Sequence, residues 1–126
     1  MTSKNPTVLI LDDDTVLLEM YTTKFEKDGF NVIKCVTAND ALDALRGEQK
    51  PDAIISDLIM PQTDGFEFLE AVESGNLRGN AKLVILSNKN EPDDLARGKA
   101  LGVAKYLVKA NLLPSDVVRE VRAILS

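Results

Sequence analysis

The sequence predicts a doubly wound α/β fold, a five-stranded parallel sheet flanked by five helices. Three observations carry the prediction. Short apolar runs alternate with stretches of helical periodicity along nearly the whole chain, the pattern of repeated strand–helix units. The first, third and fourth runs are continuously apolar, as strands become when helices cover both faces of a sheet. Finally, residues that start or stop helices sit at the joints between these stretches.

The elements follow in order. "TVLIL" (Thr7 to Leu11) is the first strand, and a helix runs from about Thr15 to Asp28. Asp14 is a favoured N-cap whose charge complements the helix dipole, and Gly29 suits the position past the helix end. "FNVIKC" is the second strand and "ANDALDALRG" the second helix, closed by Gly47. Pro51 opens "DAIISD", the third strand, and after a loop "FEFLEAVESG" is helical. "KLVILS" is the fourth strand, followed by the helix "EPDDLARGKALG" with Pro92 in its first turn. "AKYLVK" is the fifth strand, and "PSDVVREVRAIL" the last helix, with Pro114 at its start. Gly98 interrupts the fourth helix at a cost of about 1 kcal/mol relative to Ala, which close packing or local malleability would explain.

The chain has 126 residues, enough for one domain with a sizeable core and too few for two ordinary ones. Residues 1–126 therefore read as a single domain with an ordered core from about 7 to 126. With 44% hydrophobic and 28% charged residues the composition is that of a globular protein. A net charge of −5 argues against direct, nonspecific nucleic-acid binding. Cys35 is the single cysteine, so no internal disulfide forms; its apolar surroundings predict burial. "MTSKNPT" carries no apolar signal region and no run approaches membrane-spanning length, so a cytoplasmic location is expected, with no membrane partner. Histidine is absent. That excludes histidine-based triads and metal sites, and leaves carboxylates, hydroxyls, lysine and backbone for any chemistry.

The strand ends concentrate such groups. A doubly wound fold keeps its site outside the carboxyl ends of its strands. There the first strand delivers Asp12 and Asp13, the third Asp57, the fourth Ser87 and the fifth Lys109. Each alone has an ordinary reading as a cap, a turn hydroxyl or a solvated charge, and Tyr106 alone reads as packing at the core edge. Together they share one edge. Three clustered carboxylates repel one another and need a cation; hard oxygen ligands suit Mg²⁺, which takes few protein ligands and retains waters. Lysine and hydroxyl beside it neutralise phosphoryl oxygens during transfer, and a carboxylate such as Asp57 serves as in-line nucleophile, giving an acyl phosphate.

On the residues "DD" at Asp12–Asp13, "DLIMPQTDG" from Asp57 to Gly65, "LSN" around Ser87, "ALG", and "YLVKA" through Lys109, the chain resembles the receiver domains of two-component response regulators, chemotaxis regulators among them. The match runs from about Thr7 to Ser126. The resemblance implies a flavodoxin-like sheet of order 2-1-3-4-5 and a phosphoacceptor at Asp57. It implies Mg²⁺ held by Asp12, Asp13, Asp57 and the backbone carbonyl of Ile59, with Asp12 acting largely through metal-bound water. Lys109 and Ser87 would contact the phosphoryl oxygens. Ser87 and Tyr106 would form the switch that signals to the helix 4–strand 5–helix 5 face, where Lys99, Lys105, Arg119 and Arg122 are candidate exposed charges.

The implied protein is not an enzyme acting on a separate substrate. It is a signalling receiver that catalyses its own phosphorylation and dephosphorylation. Its phosphodonor would be a histidine kinase or histidine phosphotransfer protein, and its partner an output domain or target protein. Two positions depart from the family pattern. Ala110 follows Lys109 where proline with a cis bond is common, and Asn88 stands where many relatives carry a smaller residue, narrowing access. Ile59 and Lys89 lie on the approach of a hydrolytic water and predict slow self-dephosphorylation. Two rivals leave more unexplained. A haloacid-dehalogenase-like phosphatase would use Asp12, Asp14 and Val16 but leave Asp57 without a role, and a phosphorylation-independent pseudo-receiver would not need the site residues intact.

Overall fold

The computed structural model describes residues 5–48, 50–61 and 63–126. Five strands, β1 (Thr7–Leu11), β2 (Asn31–Cys35), β3 (Ala53–Ser56), β4 (Lys82–Ser87) and β5 (Lys105–Val108), form one sheet in the order β2-β1-β3-β4-β5. Every neighbouring pair is parallel. Five helices alternate with them: α1 (Thr15–Lys27), α2 (Ala38–Arg46), α3 (Gly65–Ser74), α4 (Pro92–Ala100) and α5 (Pro114–Leu125).

Side-chain alternation along a strand splits the core into two layers. Leu9, Leu11, Ile54, Leu83 and Ile85 face one side and pack with Ala41 and Leu45 of α2 and Phe68, Leu69 and Val72 of α3. Val8, Ile10, Ile55, Val84 and Leu86 face the other, against Leu18, Tyr21 and Phe25 of α1 and Val117, Val118 and Val121 of α5. Both faces of the central strands are thus covered, which is why their sequences are unbroken apolar runs. Cys35 is buried as expected, and burial pushes its thiol up to about 11, so it stays protonated at neutral pH.

Local chemistry fixes the ends. The Asp14 carboxylate accepts the Leu17 N–H at 3.1 Å, the Thr37 hydroxyl accepts the Asp40 N–H at 3.1 Å, and the Asp64 carboxylate accepts the Phe66 N–H at 2.8 Å. Gly29, at φ 92°, turns the chain out of α1 in a conformation that side chains disfavour. Gly98 is explained by packing: an added Cβ would lie 3.1 Å from Ile85 Cδ1 and 3.3 Å from Tyr106 Cδ2.

Two features differ from the expectations. The fifth strand, expected to run through Lys109, ends at Val108, and Lys109–Asn111 forms a 3-10 turn closed by Leu112 N–H to Lys109 O at 3.2 Å. Arg122 does not face the α4–β5–α5 surface. Its Nε donates to Asp28 Oδ2 at 2.7 Å and its guanidinium stacks 4.6 Å from the Phe30 ring, tying α5 to the end of α1. Lys99, Lys105 and Arg119 are exposed, with Lys105 reaching Glu120 at 3.4 Å. Met1 to Lys4 of the N-terminal stretch, and Gln49 and Gln62, lie outside the described residues. No helix among those described is long and apolar enough to cross a membrane.

Candidate functional site

The five expected residues do meet at the carboxyl edge of the sheet. Asp12 and Asp13 follow β1, Asp57 follows β3, Ser87 ends β4, and Lys109 follows β5. Carboxylate oxygens of Asp12, Asp13 and Asp57 lie within 4.8 Å of one another. Asp12 and Asp57 are buried while Asp13 is exposed, so the cluster opens to solvent on one side. A cleft of about 350 Å³, lined in part by Asp13, Thr37, Met60 and Thr63, opens there.

Lys109 bridges the buried pair. Its Nζ is 2.8 Å from Asp12 Oδ2 and 2.8 Å from Asp57 Oδ2. The other oxygens are also held. Asp12 Oδ1 accepts the Asp14 N–H at 2.9 Å, and Asp57 Oδ1 accepts the N–H groups of Leu58 at 2.6 Å and Ile59 at 3.2 Å. Burial pushes the Asp12 carboxyl above the usual carboxylate range, against the opposing bonds from Lys109 and the Asp14 amide. Burial also works against the Lys109 ammonium, but its bonds to Asp12 and Asp57 outweigh it and leave the amine more basic than an ordinary lysine. Three carboxylates against one ammonium leave two negative charges in excess (three minus one). An oxygen-ligand set of that charge fits a divalent cation such as Mg²⁺.

The backbone around Asp57 is clamped. Its N–H bonds Leu11 O at 3.0 Å, and its carbonyl accepts the Ser56 hydroxyl at 2.8 Å. Gly65 packs directly on it: a Cβ there would stand 2.2 Å from Asp57 O and 2.5 Å from Leu58 Cα. The sequence reading used Gly65 only as the end of a motif. Its signal is a glycine in the first turn of a helix, where propensity disfavours it.

The loop from β4 into α4 is pinned through Lys89. Its N–H donates to Ser87 Oγ at 3.2 Å, its carbonyl accepts the Tyr106 hydroxyl, and its ammonium pairs with Asp94 of α4. Ser87 and Tyr106 do not touch in these contacts; each holds one backbone group of Lys89, Ser87 the N–H and Tyr106 the carbonyl. Burial, helped by the charges of Asp94 and Asp57, pushes the Tyr106 phenol up to about 12, so it remains a donor at neutral pH. Lys89, expected on the approach of a hydrolytic water, has its ammonium paired with Asp94. Asn88 also differs from expectation: its Oδ1 accepts the Ala110 N–H at 2.7 Å. No peptide bond among the described residues is cis, so Lys109 and Ala110 are joined in trans. Asp14 serves as the α1 cap rather than as a second catalytic carboxylate, which removes the motif on which the phosphatase reading depended.

Comparison with known proteins agrees with this geometry. The family described as the response regulator receiver domain matches residues 8–121. The chain is 34% identical over 123 residues to the transcriptional regulatory protein PrrA of Mycobacterium tuberculosis, covering 96% of this chain and 50% of PrrA. It is 29% identical over 102 residues to the protein PilH of Pseudomonas aeruginosa, covering 81% of this chain and 84% of PilH. The solved structure of the chemotaxis response regulator CheY4 of Vibrio cholerae superposes with a TM-score of 0.84 at 26% identity, covering 98% of this chain and all of CheY4. The chain spans about half the length of the first curated relatives it matches, PrrA among them.

Proposed function

The chain belongs to the response regulator receiver domain family, and from that premise we propose that Asp57 is its phosphoacceptor, in a Mg²⁺-dependent transfer from a phosphohistidine. The observation that supports this most is the Lys109 ammonium shared between two buried carboxylates beside a third, exposed one.

Asp12, Asp13, Asp57 and the Ile59 carbonyl are the groups that would hold Mg²⁺. When bound, the ion supplies Lewis-acid neutralisation of the phosphoryl oxygens. An Asp57 carboxylate oxygen attacks phosphorus as the bond from phosphorus to the donor's histidine nitrogen breaks, and the nitrogen keeps that electron pair. Lys109 follows the charge from the Asp57 carboxylate onto the phosphoryl oxygens. The Ser87 hydroxyl accepts from Lys89 N–H and keeps its own proton to donate to the same group. Amides from Leu58 and Ile59 steady the carboxylate oxygen that does not bond Lys109.

A phosphoryl group that engages Ser87 also acts on the Lys89 peptide, and through it on Tyr106 and Asp94. This connects the site to the α4–β5–α5 face, where an output domain or target protein is proposed to dock. Several relatives are named transcriptional regulatory proteins, which supports a transcriptional output for a longer protein. A histidine kinase or histidine phosphotransfer protein is the proposed donor, and self-dephosphorylation closes the cycle.

Incubation with a small-molecule phosphodonor and Mg²⁺ tests the reading, because every proposed catalytic group lies in this domain. The expected result is one labelled residue, lost on chelation of Mg²⁺ and lost in Asp57→Asn. Undiminished labelling of Asp57→Asn by mass spectrometry would end the proposal.

A further inference from the structure

We propose that Asn88 is a positioning residue for Lys109: its side-chain carbonyl holds the turn from which the lysine reaches Asp57. The proposal rests on the phosphoacceptor reading above and adds a residue to it.

Lys109 begins the 3-10 turn Lys109–Asn111, which Leu112 N–H closes onto Lys109 O at 3.2 Å. Ala110 and Asn111 are exposed, and β5 is an edge strand paired only with β4. A turn this short has poor hydrogen-bond geometry of its own. A tie from outside the turn comes from Asn88, whose Oδ1 accepts the Ala110 N–H at 2.7 Å. Asn88 follows Ser87, which is fully buried at the end of β4, so the anchor stands on a rigid element.

This contact joins the two positions that depart from the family pattern. Proline at position 110 would have no N–H to donate, and Ala or Gly at position 88 would have no acceptor. Here the donor and the acceptor are both present and meet. The bond commits the Asn88 amide to the end of β5, so the side chain braces Lys109 instead of narrowing access to Asp57. Lys109 lies among the carboxylates as a cation, not as a metal ligand. Loss of the brace should therefore weaken binding of a phosphoryl group without weakening Mg²⁺ binding, since Lys109 and the cation draw on the same carboxylates.

Beryllofluoride, a phosphoryl mimic, is titrated at saturating Mg²⁺ into the parent, Asn88→Ala, Ala110→Pro and the double variant, followed by amide NMR. Mg²⁺ alone is titrated as the control. Asn88→Ala is expected to weaken beryllofluoride binding about tenfold with Mg²⁺ affinity not reduced. In the Ala110→Pro background, the same substitution should have no further effect, because the donor is gone. An equal loss in both backgrounds, or tighter binding on Asn88→Ala as a crowding role would give, overturns the proposal. Hydrogen exchange at the Ala110 amide reads the brace without any ligand: it should quicken severalfold in Asn88→Ala, and an unchanged rate also overturns it. Failure of the phosphoacceptor reading shows separately, as the absence of Asp57-dependent labelling in the parent.

Discussion

Lys109 Nζ lies 2.8 Å from Asp57 Oδ2 although 52 positions separate the two residues. Together with the equal contact to Asp12, this makes one ammonium the counter-charge of two buried carboxylates. Lys109→Met keeps the bulk and removes the charge. Removing one partner from a buried pair costs about 3 kcal/mol. Mg²⁺ supplies positive charge to the same carboxylates, so it should recover part of that loss. The expected outcome is a larger rise in Tm on adding Mg²⁺ for Lys109→Met than for the parent. Equal rises would show that lysine and cation do not share the carboxylates.

The shared edge of the five candidate residues was readable because strand ends are where a parallel sheet must expose its polar groups, and short apolar runs mark strand ends well. Asp12, Asp57, Ser87 and Lys109 each stand within one residue of such an end. What lay beyond reading was side-chain direction in the loops. Nothing in periodicity tells that Lys89 turns to Asp94, that Asn88 turns to Ala110, or that Arg122 turns to Asp28. Those choices depend on contacts between segments far apart in the chain. The 3-10 turn after β5 was missed for a related reason: three residues are too few to show a period.

Glycine replacement separates two close approaches. A Cβ at Gly65 meets backbone, with Asp57 O at 2.2 Å, and backbone cannot rotate away. A Cβ at Gly98 meets side-chain tips at 3.1 to 3.4 Å. Gly65→Ala should cost about 3 kcal/mol, the upper end for overpacking, and should slow labelling of Asp57 by displacing its carbonyl. Gly98→Ala should be near neutral, since about 1 kcal/mol of gained helix propensity offsets the crowding. Urea unfolding of the two variants checks both. Equal destabilisation would mean that the Gly65 contact relaxes as readily as the Gly98 one.

Asp94 gives a pH dependence whose sign is fixed. The hydrogen bond from Lys89 is the main cause holding its carboxyl below the ordinary aspartate range; burial opposes, and the Glu91 N–H with the charges of Lys89 and Arg97 assists. A folded pKa depressed below the unfolded value, about 4, stabilises the protein above that pH. The contribution is lost as pH falls through the folded value. Asp94→Asn should therefore be less stable than the parent at pH 7, and the gap should shrink below about pH 4. Denaturant unfolding across that range measures it. A gap that stays constant into acid would assign the effect to packing instead.

Phosphoryl lifetime is the last consequence of the geometry. Hydrolysis of the proposed acyl phosphate needs a water in line behind phosphorus, opposite the Asp57 oxygen. Ile59 stands two residues past Asp57 and is 58% exposed, so its side chain lies in solvent beside the site and offers no hydrogen bond to orient that water. Lys89 cannot act as a base either, since its ammonium is engaged by Asp94 and its backbone by Ser87 and Tyr106. Slow loss of phosphate is the expected outcome. Ile59→Asn adds an acceptor and a donor at the approach and should hasten decay about tenfold, or roughly 1.4 kcal/mol off the barrier. Lys89→Glu is a poor companion, because it would set a carboxylate against Asp94. Lys89→Gln keeps a polar side chain, loses the ion pair and should change the rate less than Ile59→Asn does. Decay of the labelled protein under saturating Mg²⁺ decides the matter: if Ile59→Asn loses phosphate at the parental rate, water orientation at this position does not set the lifetime.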